Sequence, residues 1–228
     1  MPTCLIVGAA PSDGASLRWV LDNAYYDYVM AVDGGFEKLK ALGVEPDEVF
    51  GDFDSLGYTP EHPRVATFEQ HKDFTDMELA IQHAYEQGFA DVIMCDALTA
   101  RVDHTLGNLQ LLIKAASWGM RVWGFTDDQV CVALNAPGPL DYVAFDEGAF
   151  GVMSALSHSD VATGVTEEGF EYSLEGATVL NRAVWGVSNE LIGKPARISL
   201  EQGSIWVFMP LSALEVVEYG SDGRFPLE

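Results

Sequence analysis

Through about residue 135 the chain alternates short β-branched or apolar runs with longer amphipathic stretches, and glycine closes most of the latter. This alternation predicts βα units on a largely parallel sheet, because a parallel strand is buried on both faces and reads as a continuous apolar run. Residues 5–7, 29–32, 49–50, 92–95, 121–125 and 130–134 are the expected strands. Residues 16–23, 36–42, 76–87 and 105–118 carry helical spacing, and the last three run into Gly43, Gly88 and Gly119, which read as helix stops. From Pro137-Gly138-Pro139 onward the helical signal disappears. Short strands with Gly-rich turns replace it, among them residues 151–156, 197–200 and 204–209. The expected architecture is α/β, with a largely parallel sheet domain over residues 1–136 followed by an all-β domain over residues 137–228.

Composition narrows the function. A formal net charge of -23, from 35 acidic against 12 basic residues, repels a phosphate backbone and excludes nucleic acid and anionic membrane surfaces as expected partners. Apolar residues do not run together for the roughly 18 positions a spanning helix needs. The N-terminus has no basic region and meets Gly8 too early for a signal peptide. Cys4, Cys95 and Cys131 lack metal-ligand spacing and read as buried, reduced thiols. Together these predict a cytoplasmic protein without a membrane partner.

The chemistry sits in acidic turns. Asp33-Gly34-Gly35 follows an expected strand, and in an open α/β sheet ligands bind beyond the carboxyl ends of the strands. The glycines allow close backbone approach to a ligand, although Asp-Gly-Gly is also ordinary turn chemistry. Gly51-Asp52-Phe53-Asp54-Ser55 sets two carboxylates at i and i+2, on the same side of an extended segment. Two like charges this close call for a counterion, and Mg²⁺ bridged to substrate phosphates suits one or two carboxylates.

His71-Lys72-Asp73-Phe74-Thr75-Asp76-Met77-Glu78 opens a helix, with Thr75 and Glu78 spaced as a capping box. Lys72 is then placed to contact phosphate, while Asp76 reaches metal or orients its water. Arg101-Val102-Asp103-His104-Thr105-Leu106-Gly107-Asn108 again joins a loop to a helix, with Asp103 or His104 near the cap. The planar fork of Arg101 suits the charge on a transferring phosphoryl group, or else a surface ion pair. His104 is open to either a general-base or a structural role. The phosphate loop Gly-x-x-x-x-Gly-Lys-Ser/Thr, the Gly-x-Ser-x-Gly elbow and the His-Glu-x-x-His zinc helix are all absent from the sequence.

Taken in order, these four motifs resemble the thiamine pyrophosphokinase family, and the likeness continues through Gly169-Phe170-Glu171-Tyr172-Ser173-Leu174 and Gly186-Val187-Ser188-Asn189-Glu190. The resemblance implies transfer of a pyrophosphoryl group from ATP to thiamine by a homodimer with its active site between subunits. It also implies that the second domain is a β-sandwich that holds thiamine. By the same resemblance, Asp33, Asp52, Asp54, Asp76, Arg101 and Asp103 form the catalytic set, with Asp52, Asp54 and Asp76 on Mg²⁺. Gly34, Ser55, Lys72, Asp73, Thr75, His104 and Asn108 fall on the nucleotide side. Tyr172, Ser188 and Asn189 fall on the thiamine side, where Tyr172 offers a ring to stack on a cationic heteroaromatic ligand or a core aromatic. Ser188 and Asn189 are equally ordinary turn residues by chemistry alone.

One departure stands out. The family has a glycine-rich approach to its Arg-x-Asp-His motif, whereas this chain reads Asp96-Ala97-Leu98-Thr99-Ala100-Arg101. Side chains there are expected to narrow backbone access to a phosphate. The departure keeps open a catalytically silent thiamine or nucleotide sensor. The acceptor motifs keep open a related pyrophosphokinase acting on another alcohol, such as a hydroxymethylpterin.

Overall fold

The computed structural model describes residues 2–51, 53, 57–67, 74–221 and 223–227 of the chain. The fold resolves into two compact units. One comprises residues 1–111 and 124–127, the other residues 112–123 and 128–227.

The first unit contains β1 (Thr3–Val7), α1 (Ala15–Asn23), β2 (Tyr28–Val32), α2 (Gly35–Ala41), β3 (Glu48–Gly51), β4 (Val65–Thr67), α3 (Asp76–Glu86), β5 (Asp91–Cys95) and the start of α4 (Val102–Ser117). Its strands lie in the order β5-β1-β2-β3-β4, every neighbouring pair parallel. β1 and β5 are buried at every residue, which explains why their sequences are unbroken apolar runs. Leu5, Ile6, Met30, Ile93 and Met94 fill the sheet, and Leu17, Leu39 and Ile81 dock one helix each onto it. α3 starts where the capping box places it: Thr75 is the N-cap and its Oγ1 accepts the Glu78 N–H at 3.2 Å. The chain moves outward from β1 through β2, β3 and β4, then returns to the other side of β1 as β5. That reversal creates a switch point beside β1, the position at which open α/β sheets form a crevice at their carboxyl ends.

The second unit holds most of β6 (Arg121–Phe125), then β7 (Gln129–Ala136), β8 (Tyr142–Phe145), β9 (Phe150–Ser157), β10 (Val161–Glu168), β11 (Leu174–Leu180), β12 (Asn189–Ile192), β13 (Ala196–Ser199), β14 (Gly203–Pro210) and β15 (Val217–Tyr219). One sheet runs β12-β9-β14-β7-β6 and another β11-β10-β13-β8-β15. β7 is a finding the sequence pattern does not give: its apolar run looks like a parallel strand, yet it forms an eight-residue antiparallel ladder with β14. Trp123 is fully buried, packed edge-on by Tyr219 and Phe225 at ring-centroid distances of 5.4 Å. The free thiols of Cys4, Cys95 and Cys131 are buried, and desolvation pushes each well above its ordinary pKa, so they behave as small apolar core residues. Among the described residues, no helix is long and apolar enough to cross a membrane.

Candidate active site

At the switch point of the first unit lies a cavity of about 380 Å³. Gly8 to Pro11 after β1, Asp33 after β2, Thr75 and Asp76 at the start of α3, Asp96, Ala97 and Thr99 after β5, and Arg101, His104 and Asn108 around the start of α4 line it. The structure therefore brings together Asp33, Thr75, Asp76, Arg101, His104 and Asn108 from three separate stretches of sequence. Asp52, Asp54, Ser55, Lys72 and Asp73 lie outside the described residues.

Asp33 is held by backbone geometry rather than by a long side chain. Its φ is +50°, a left-handed conformation that aspartate tolerates better than most residues, and its N–H donates to the Phe50 carbonyl at 2.8 Å. Its carboxylate rests on the bare α-carbon of Gly51: a β-carbon there would lie 2.1 Å from Asp33 Oδ1. Gly51, with φ +152°, is thus the seat of the Asp33 carboxylate. Gly34 precedes α2 as its N-cap and lies beside Ala9, where a β-carbon would stand 3.2 Å from the Ala9 side chain.

The segment after β5 answers the question raised by its missing glycines. Asp96 and Ala100 adopt φ of +52° and +66°, so the chain makes the left-handed turns with side chains in place. Each such turn costs a non-glycine residue roughly 1–2 kcal/mol. The Asp96 side chain is 4% exposed and turns onto Lys38 Nζ at 2.7 Å. Thr99 Oγ1 donates to the Pro11 carbonyl at 2.7 Å.

Arg101 and Asp103 form a bidentate pair, Nη2 to Oδ2 at 2.7 Å and Nε to Oδ1 at 3.2 Å, and both side chains are about two-thirds exposed. With the His104 backbone N–H also donating to it, the Asp103 carboxyl is held down at about 2, chiefly by the Arg101 hydrogen bond. Helix α4 begins at Val102, so Asp103 lies in its first turn rather than at the cap. Asn108 Nδ2 donates to the Ala97 carbonyl at 2.7 Å, so this residue shapes the cavity wall through the segment after β5. Asp76 is the first residue of α3, where the helix dipole favours its negative charge.

In the second unit a smaller cavity of about 210 Å³ is lined by Glu167, Tyr172, Leu174, Trp185, Gly186, Val187 and Asn189. The exposed rings of Tyr172 and Trp185 give it aromatic walls. Asn189 is 5% exposed and spends its whole amide on the protein. Nδ2 donates to Glu167 Oε2 at 2.6 Å and to the Tyr172 carbonyl at 2.7 Å, while Oδ1 accepts the N–H groups of Tyr172 at 3.0 Å and Glu190 at 2.8 Å. Its place is to fix Tyr172 and Glu167. Ser188, with φ +61°, donates its N–H to Ser154 Oγ at 3.0 Å and is not among the residues lining the cavity. Glu167 is 1% exposed, and desolvation raises its carboxyl pKa against the opposing Asn189 hydrogen bond.

Sequence reasoning passed over Lys38, Glu167 and Trp185. Glu167 carried a usable signal, since it stands two residues from buried Val165 on the inward face of β10, where a carboxyl is costly without a purpose. Lys38 carried none, because its partner lies 58 residues away.

A carboxylate-lined crevice at the switch point of a parallel sheet, on a chain whose other unit is rich in strands, is the mark of an α/β ligand-binding protein. Residues 21–123 match the family described as thiamin pyrophosphokinase, catalytic domain. A thiamine pyrophosphokinase of Bacillus subtilis is 30% identical over 181 residues, which is 76% of this chain and 83% of that protein. The chain belongs to the thiamine pyrophosphokinase family. Among solved structures, the thiamin pyrophosphokinase of Geobacillus thermodenitrificans superposes with a TM-score of 0.74 at 26% identity, covering 91% of this chain and 97% of that one. The Bacillus subtilis enzyme shares the fold at TM-score 0.76 and 24% identity, covering 91% of this chain and 98% of its own.

Proposed function

We propose that this protein transfers the pyrophosphoryl group of ATP to the hydroxyl of thiamine, giving thiamine diphosphate and AMP, as a cytoplasmic homodimer whose active site is completed between subunits. The observation that carries the reading is the convergence of Asp33, Asp76 and Arg101 on one crevice in a chain of this family. The acceptor hydroxyl attacks the β-phosphorus in line and AMP leaves, so bond making and breaking stay at one phosphorus and no covalent enzyme intermediate is needed.

The residues present suit Mg²⁺: the cavity offers carboxylate oxygens from Asp33 and Asp76, which are hard donors, while Asp96 is already committed to Lys38. Asp76 with Asp52 and Asp54 would hold the ion, which when bound neutralises phosphate charge and polarises the transferring group. Lys72, Asp73, Thr75, Ser55, Gly34, His104 and Asn108 would surround the nucleotide. Arg101 keeps unused donors on its fork beyond those given to Asp103, so it can meet phosphate oxygens while Asp103 holds its orientation. Asp103, engaged by the Arg101 fork and the His104 N–H, would act by positioning Arg101, and the hydroxyl proton would pass to another aspartate of the crevice.

The β-sandwich unit would receive thiamine in the cavity between Tyr172 and Trp185, whose rings suit a flat cationic heterocycle. Asn189 would act there by holding Tyr172 and Glu167, with Ser188 at the edge. An acceptor panel tests this reading. AMP release with thiamine and not with a hydroxymethylpterin supports it, release with the pterin alone replaces the acceptor, and thiamine binding without AMP makes the protein a sensor.

A further inference from the structure

Lys38 sits on α2, outside every motif discussed so far, yet it joins the two loops on which the nucleotide crevice is built. Its ammonium donates to Asp96 Oδ2 at 2.7 Å and to the Ala10 carbonyl. The same loops are cross-linked by the Ala10 N–H donating to the Asp96 carbonyl at 3.0 Å and by the Thr99 hydroxyl donating to the Pro11 carbonyl at 2.7 Å. Ala10, Pro11, Asp96 and Thr99 all line the cavity.

The approach is tight. A β-carbon on Gly8 would lie 2.6 Å from the Asp96 carbonyl oxygen, so the two loops touch backbone to backbone. Between Asp96 and Arg101 the chain also holds two side-chain-bearing residues, Asp96 and Ala100, at φ of +52° and +66°. Such conformations persist only where surrounding structure over-determines them. Lys38 is the cation on Asp96; the Asp96 side chain is 4% exposed and that of Lys38 26%, so the carboxylate end of the pair is shielded from water while the lysine reaches it from the edge.

We infer that Lys38 is a positioning residue for the nucleotide: its ammonium ties the loop after β1 to the loop after β5 and holds the left-handed turns at Asp96 and Ala100. The inference rests on the crevice being the ATP site. Lys38 needs no contact with ATP under this account, because its donors are directed at Asp96 and Ala10. Held by the pair, the segment reaches Arg101 in the pose the crevice requires without glycine's freedom.

The test uses the full chain and removes both charges together, so that no lone carboxylate is left buried. In K38M/D96N, Met keeps the aliphatic stem and Asn tolerates a positive φ. The KM for Mg·ATP should rise at least about tenfold, since a displacement near 1 Å can cost about a hundredfold. The KM for thiamine should stay near the parent value. Amide exchange at Ala10 should accelerate, which reads the loop junction without turnover.

The second variant, K38M/D96G/A100G, gives the turns to glycine and should bring the Mg·ATP KM back toward the parent. An unchanged Mg·ATP KM in K38M/D96N overturns the inference, whatever happens to the melting temperature. Failure of the glycine variant to recover also overturns it, because Lys38 would then act on the nucleotide through its charge. If the unmodified protein forms no thiamine diphosphate, the proposed function falls instead. The Ala10 exchange rate then decides the role of Lys38 alone, with unchanged exchange overturning it.

Discussion

Replacing Gly51 by alanine tests how Asp33, the residue after β2 proposed here as catalytic, is seated. The new β-carbon would lie 2.1 Å from Asp33 Oδ1, 3.1 Å from its Cγ and 3.2 Å from Phe53 Cε1. A relaxed carbon–oxygen contact is about 3.3 Å, so the carboxylate must retreat by about 1 Å. Displacement on that scale should lower kcat/KM for thiamine diphosphate formation by about a hundredfold, equivalent to about 2.7 kcal/mol. Backbone strain at φ +152° adds about 1–3 kcal/mol of destabilisation. In a chain of this size that lowers the melting temperature by about 2–12 °C. Gly88→Ala is the matched control: its φ is +84° with nothing within 4 Å, so it should lose stability and keep its kcat/KM. Steady-state kinetics and thermal melts on both variants separate the two effects. A Gly51→Ala enzyme with kcat/KM near that of Gly88→Ala would refute the seating of Asp33 on Gly51.

Three further outcomes follow from the same geometry. Asn189→Ala strips hydrogen bonds from Glu167 and from the Tyr172 backbone, which should cost about 2–4 kcal/mol in denaturant unfolding and raise the thiamine KM while leaving that for Mg·ATP unchanged; an equal rise in both would remove Asn189 from the acceptor side. Glu167 has a folded-state pKa raised above its unfolded value, so the stability it contributes is complete below about 4.3 and is lost as pH rises through the raised value. Glu167→Gln should therefore flatten the fall in melting temperature above that range, and an unchanged pH profile would show that the carboxyl ionises without cost. Asp54→Asn should reduce turnover by at least about two orders of magnitude and alter the Mg²⁺ requirement, whereas intact turnover with intact Mg²⁺ dependence would remove it from the metal set.

The parallel strands were legible because burial on both faces writes them as apolar runs: residues 5–7 lie within β1 (Thr3–Val7), and residues 92–95 lie within β5 (Asp91–Cys95). The start of α3 was legible from Thr75 and Glu78, since capping is local chemistry. β10 and β11 were not. Their residues alternate between inside and outside, and register shifts near Gly164 break the period. β7 was legible as a strand but not in its partner, because an apolar run does not encode direction. Of the crevice, Asp33 and Arg101 could be nominated from neighbouring glycines and helix starts. The role of Asp96 could not, because its contact with Lys38 spans 58 residues and follows from the order of the strands.

The most direct test of the account is to incubate the purified protein with Mg·ATP and thiamine and to quantify AMP, ADP and thiamine diphosphate by chromatography, with thiamine and metal omitted in turn. Pyrophosphoryl transfer predicts AMP and thiamine diphosphate in equal amounts, both dependent on thiamine and on the metal. Formation of ADP and thiamine monophosphate, or of AMP without thiamine diphosphate, would contradict it.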